Sequence, residues 1–235
     1  MTGANFSYAN LEKTDFRGAK LFYSSWLGAI NIAQARVERT YLADKAIRDL
    51  VVTLKGDCKV FDGLNLRFLD LKNANLQAAS FIGADLSDAN LSDTNLSDAK
   101  LARTQLYQAN LSRACLTGAC IQEWGISANT TLTDVSCEFV HMRLSTPQDP
   151  DPWRKPDNRD ETFQSGDFAD FITPIVTTLD LYQQQYVDPR QMAGAFKSLD
   201  FYHHDGIDPT AAAIALKQIT EENPEAGLEV VALDG

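Results

Sequence analysis

Three sets of residues in this chain have types that could carry chemistry. His203 and His204 stand beside Asp205, and imidazole with carboxylate is a metal-binding donor set. Neighbouring side chains at a helix-to-turn boundary project apart, however, and no third ligand follows at suitable spacing. No metal is therefore expected there. The pairs Ser87-Asp88, Ser92-Asp93 and Ser97-Asp98 recur at intervals of five and would make a row of carboxylates if they shared a face. Cys58, Cys115, Cys120 and Cys137 lack zinc-type spacing, which leaves reduced structural thiols in a cytosol as the simplest account. Neither a glycine-rich phosphate loop nor a nucleophile elbow occurs. No catalytic residue and no cofactor are expected.

Whether the Ser-Asp pairs share a face depends on the elements that carry them. They lie in "ADLSDANLSDTNLSDAKL", residues 84–101, where Leu86, Leu91, Leu96 and Leu101 are spaced by five. On a helix that interval rotates successive side chains by about 140°, and on a strand it alternates their faces. Neither buries the leucines together. A chain that turns by a fixed angle after each repeat keeps them all inside, and fixed-period self-similarity is the mark of a solenoid. Two residues before each anchor comes a small side chain, such as Ala84, Ala89, Thr94 and Ala99. A narrow coil has room for one large and one small inward residue per repeat. The residue between them is usually Asn or Asp, as at Asn75, Asp85, Asn90, Asn95 and Asn110, suited to local hydrogen bonding at a corner.

These residues, with "ANLQAASFIGADLSDANL", resemble the pentapeptide-repeat family, whose pattern is A(N/D)(L/F)XX. The resemblance spans most of residues 4–142. It implies a mainly β fold, a right-handed four-sided β-solenoid with four repeats per coil. On that geometry consecutive Ser-Asp pairs fall on different faces, and vertical neighbours are twenty residues apart. Asp88 then sits between Phe68 and Gln108, Asp93 between Asn73 and Arg113, and Asp98 between Ala78 and Gly118. No carboxylate column forms.

The anchors come in two runs. Residues 1–42 form the first, with core positions Phe6, Leu11, Phe16, Leu21 and Trp26, then a one-residue slip to Ile32, Val37 and Leu42. Residues 61–142 form the second and a cap. Its core positions are Phe61, Leu66, Leu71, Leu76, Phe81, Leu86, Leu91, Leu96, Leu101, Leu106, Leu111, Leu116, Ile121 and Ile126. A second slip leads to Leu132, Cys137 and Met142. Trp124 occupies a slot that other repeats fill with Ala or Thr, so the coil is expected to open or end near 124–132.

Between the runs, in the insert 43–60, Ala46, Ile47, Leu50, Val51 and Leu54 mark one helical face, with Gly56 as the stop. An amphipathic brace against the solenoid is expected. Residues 143–166, rich in proline and charge, read as an extended linker. Within it Trp153, Arg154 and Lys155 form either an anchor or an exposed docking motif. Residues 167–235 read as an acidic helical tail. "LDLYQQQYVDPRQMAGAFKS" and "LDFYHHDGIDPTAAAIALKQ" repeat at an offset of twenty, and a strand closes the chain. His203 and His204 belong to the second copy and join the candidate interaction residues.

The net charge of −11 is uneven. Residues 1–142 carry fourteen Lys and Arg against fifteen Asp and Glu; residues 143–235 carry seven against seventeen. The solenoid is near neutral, without the basic stripe that direct nucleic-acid binding needs. No apolar run approaches membrane-spanning length, and no signal peptide opens the chain. The sequence therefore points to a non-catalytic scaffold or regulatory module with a protein partner, cytoplasmic, monomeric or homodimeric. Two alternatives accompany it. Some family members imitate DNA and bind gyrase, which the scattered acids here disfavour. The abrupt start and orphan terminal strand also fit a targeting or regulatory piece of a larger protein.

Overall fold

The computed structural model describes residues 2–150, 152–173 and 176. The chain divides into two compact units, residues 1–169 and 170–235. The duplicated tail segments, His203, His204 and the expected terminal strand lie outside the described residues.

The first unit is a β-solenoid. Isolated parallel bridges join residues twenty apart, such as Asn65↔Asp85, Asp70↔Asn90, Asn75↔Asn95 and Ser80↔Lys100. A bridge at every fifth position, with a vertical repeat of twenty, makes four sides. Leu11, Phe16 and Leu21, and every core position named from Phe61 to Ile126, are at most 3% exposed. Ala74, Ala79, Ala84, Ala89, Ala99, Ala109, Ala114 and Ala119 are equally buried at the small-residue slot. Each enclosed leucine contributes about 1.5–3 kcal/mol. Phe6 differs, being half-buried. It stacks on Trp26 at 4.4 Å, but among the described residues no coil covers its other side.

The corners explain the polar consensus. After each anchor the chain reverses through a tight turn, as in Ala89 N–H to Leu86 O at 3.1 Å. The second central residue has positive φ: Asp88 at 60°, Asp93 at 60° and Asp98 at 59°. This is the type II pattern, in which Asp and Asn tolerate the left-handed region better than most residues. The Asp of each Ser-Asp pair therefore serves the backbone. The Asn or Asp before each anchor caps the same turn: Asn90 Oδ1 accepts from Ser92 N–H at 3.2 Å, and Asp85 Oδ1 accepts from Ser87 N–H at 2.9 Å.

Both slips are single-residue insertions. Asp15↔Arg36 pair at twenty-one, with a 3-10 turn at Ile32–Gln34 absorbing the extra residue. Asn110↔Thr131, Cys115↔Ser136 and Cys120↔His141 repeat that offset. The coil thus neither opens nor ends at 124–132, as its sequence suggests, but continues to residue 141. Thr130 is buried in the inserted turn; its Oγ1 accepts from Ser127 N–H at 3.0 Å and donates to Leu106 O at 2.9 Å. Trp124 is 6% exposed. Its ring is therefore accommodated within the fold at a slot that other repeats fill with Ala or Thr.

The insert contains α1, Lys45–Thr53. Asp44 caps it, accepting from Ala46 N–H at 2.7 Å and Ile47 N–H at 3.1 Å. Ile47, Leu50 and Val51 are buried, whereas Ala46 is exposed. The stop is Leu54, left-handed at φ 53°, and not Gly56. Gly56 instead fills the first anchor slot of the second run, where its N–H donates to Asn75 O at 2.8 Å. A Cβ there would lie 2.8 Å from Leu76 Cδ2 and 3.0 Å from Leu50 Cδ1. The missing side chain makes room for the helix to supply Leu50 to the core.

Residues 143–166 are not an extended linker throughout. β1, Val140–His141, pairs antiparallel with β2, Arg154–Lys155, so the chain turns back onto the last coil, and it is residues 143–163 that form the cap. Phe163 N–H donates to Glu138 O at 2.8 Å, and the Phe163 and Phe168 rings meet edge-on at 5.9 Å. Residues 167–173 and 176 are helical.

Candidate functional site

The outward faces carry charge, but mostly compensated charge. Asp93 receives two bonds from Arg113, at 2.6 and 2.8 Å, across the twenty-residue vertical step. Arg113 holds its carboxyl below the ordinary range. Arg67 donates to Asp88 at 2.8 Å. Asp15 is gripped by Arg17, with Nη2 to Oδ2 at 2.7 Å. That bond, with Arg17 N–H, holds the Asp15 carboxyl at about 2. These pairs are solvent-exposed and individually worth little.

An open surface hollow is lined by Asp15, Arg17, Gly18, Glu38 and Arg39. Its carboxylate at Asp15 is already occupied by Arg17. Among the described residues no group of three or more His, Cys, Asp or Glu could hold a metal ion, and no helix is long and apolar enough to cross a membrane.

The thiols follow their positions. Cys58 is exposed, while Cys120 and Cys137 are buried. Burial pushes the Cys137 thiol up to about 12, with Cys115 adding to the effect, and raises Cys120 as well. Cys115 Sγ lies 3.1 Å from Ser97 Oγ. Thiols raised in this way are poor nucleophiles at neutral pH.

The candidate interaction residues 153–155 separate sharply. Trp153 is 41% exposed, held at the edge of the cap by Met142 N–H donating to its carbonyl at 3.0 Å. The Arg143 guanidinium sits 4.0 Å from the centre of the Trp153 ring. Arg154 and Lys155, which the docking-motif alternative would leave exposed, are 8% and 7% exposed. Arg154 donates to the carbonyls of Pro156, of Asn158 at 2.9 Å and of Glu161 at 2.9 Å. Its Cζ lies 4.6 Å from the Phe139 ring centre. Lys155 Nζ bonds both Asp157 oxygens, at 2.9 and 3.0 Å. These two cations hold the cap together, because a buried charge must be partnered to be tolerated. Sequence reasoning missed Arg143 as the partner of Trp153. Its position just after the last anchor is the only hint the sequence offers.

Comparison with known proteins follows from this geometry. The family described as pentapeptide repeats matches residues 1–25, 60–98 and 89–123, in eight copies. A pentapeptide repeat protein from Nostoc PCC 7120 is similar at 32% identity, covering 36% of this chain and 80% of that one, with a TM-score of 0.32. HetL, a pentapeptide repeat protein involved in heterocyst differentiation regulation from the same Nostoc strain, is similar at 26% identity. It covers 60% of this chain and 63% of its own, with a TM-score of 0.27. A pentapeptide repeat protein from the Arabidopsis thaliana thylakoid lumen is similar at 22% identity, covering 63% of this chain and 69% of that one, with a TM-score of 0.25. No curated protein matches the chain.

Proposed function

The chain belongs to the pentapeptide-repeat family, and from that premise we propose that it is a non-catalytic interaction scaffold, cytoplasmic, binding a protein partner without a cofactor. The observation that carries this reading is how the polar groups of the solenoid are used. Asn and Asp before the anchors cap turns, the Asp residues after them accept positive φ, and several of these acids also pair with arginines, as Asp93 does with Arg113 and Asp88 with Arg67. What such a surface offers a partner is shape and a neutral hydrogen-bonding face. The candidate contact is Trp153 with Arg143, since exposed Trp and Arg are the residue types that dominate binding energy at interfaces. His203 and His204 remain candidates from sequence.

The neutral faces favour this reading over a gyrase-directed DNA mimic, which needs a steady run of uncompensated carboxylates. Purified gyrase should supercoil at an unchanged rate in excess protein. The scaffold reading is tested by capture from native extract on the intact chain and on Trp153→Ala. A partner lost with Trp153→Ala at unchanged melting temperature places the contact at the cap. Undiminished capture moves it elsewhere, and capture of nothing by either protein sinks the reading.

A further inference from the structure

Within the second run adjacent coils are bridged on all sides, as at Lys55↔Asn75, Val60↔Ser80, Asn65↔Asp85 and Asp70↔Asn90. The first two coils are also bridged to each other, at Asn5↔Ser25, Asn10↔Ile30 and Asp15↔Arg36. Among the described residues no bridge joins the first run to the second. What crosses the seam is smaller. Tyr23 N–H donates to Phe68 O at 2.7 Å, and Gly28 N–H donates to Val52 O at 2.8 Å, at the end of α1. Ser25 Oγ donates to Asp70 Oδ2 at 2.6 Å, and the Phe22 and Phe68 rings meet at 4.4 Å with a 34° tilt.

In a solenoid each layer is stabilised by its nearest neighbours, so cooperativity is weakest where the interface between layers is weakest. We propose that this seam is a hinge: residues 2–42 swing away from the second run while the coils on both sides stay folded. Asp70 is the latch. One oxygen holds Ser25, and the other accepts from Asn90 Nδ2 at 2.8 Å, so a single carboxylate ties the first run to the ladder of the second. Opening bares Phe22 and Phe68, which are half-buried in the closed form. The motion is local opening of a low-stability element within a more stable fold.

Amide hydrogen exchange on the intact chain tests this directly. The Tyr23 and Gly28 amides, whose bonds cross the seam, should exchange at least about tenfold faster than Leu11 and Ile30 within the first block and Leu91 within the second. Ser25→Ala removes one hydrogen bond to a charged group and should widen that gap by about tenfold. Asp70→Asn, which keeps an acceptor for Ser25, should widen it less. Tyr23 and Gly28 as protected as Leu91 would overturn the hinge. So would Tyr23 and Leu11 sharing one fast rate, since the block would then be unfolding and not swinging, or Ser25→Ala accelerating Leu91 equally.

Discussion

The repeats and the cap bury comparable side chains by opposite means. In coils 61–126 the layers repeat one pattern, a buried aliphatic or aromatic anchor with a small neighbour at most slots and an Asx-capped turn where Asn or Asp precedes the anchor. In the cap, one guanidinium collects three carbonyls from a loop that has no period at all. Stability in the repeats is distributed and local. In the cap it is concentrated in Arg154. A substitution in a repeat should therefore propagate through the stack, whereas one in the cap should release a single segment.

The largest effect should come from Leu91→Asp, which puts an unpaired charge into a fully buried slot and should cost about 3–5 kcal/mol. Thermal melting should show the whole solenoid losing stability together. Next, Arg154→Ala leaves three carbonyls without their donor and should cost about 2–4 kcal/mol, confined to the cap. Limited trypsin digestion should then cut at Arg143 and Arg159 while a core fragment ending at Arg143 survives. If that fragment is degraded at the same rate, the cap and the repeats are one cooperative unit and the contrast fails.

Thr104→Val sharpens the comparison from inside the repeats. Thr104 Oγ1 donates to Phe81 O at 2.7 Å across the stack, so the substitution should lower stability by about 1 kcal/mol in a chemical denaturation curve. Asp93→Asn keeps a residue suited to positive φ and removes only an exposed ion pair. Its melting temperature should be indistinguishable from wild type at neutral pH.

The thiols give a pH test. Because burial raises Cys137 to about 12, the folded chain keeps a proton that the unfolded chain loses near 9. The stabilisation is full below pH 9 and is lost as pH rises toward about 12. Alkylation at pH 8, followed by mass spectrometry, should label Cys58 and spare Cys137. Equal labelling would mean that the last coil is open.

The same contrast explains what could be read from the sequence. The anchors, the small-residue slots and even the single-residue slips were legible, because each is a repeated local rule and a break in a repeat is as visible as the repeat. α1 was legible from its buried face, although its stop was assigned to Gly56. The glycine's role depends on Leu50 and Leu76 approaching it from two directions, which no local pattern encodes. Trp124 misled because the room for a ring at that slot depends on its surroundings in three dimensions and not on the local repeat. The cap was read as a linker because prolines and charges usually mean solvent exposure. Burial of Arg154 depends on carbonyls two, four and seven residues further along the chain, and that geometry has no sequence signature. The seam at Ser25 and Asp70 joins residues forty-five apart, outside the twenty-residue register that made everything else predictable.

The most direct test of the central claim, that this is a binding scaffold, is capture from native extract on the whole chain beside residues 1–169. The boundary follows the first compact unit and keeps the cap intact. The account predicts a common partner retained by both, because the solenoid and its cap carry the contact surface. A partner retained only by the whole chain would contradict it and would place binding in residues 170–235.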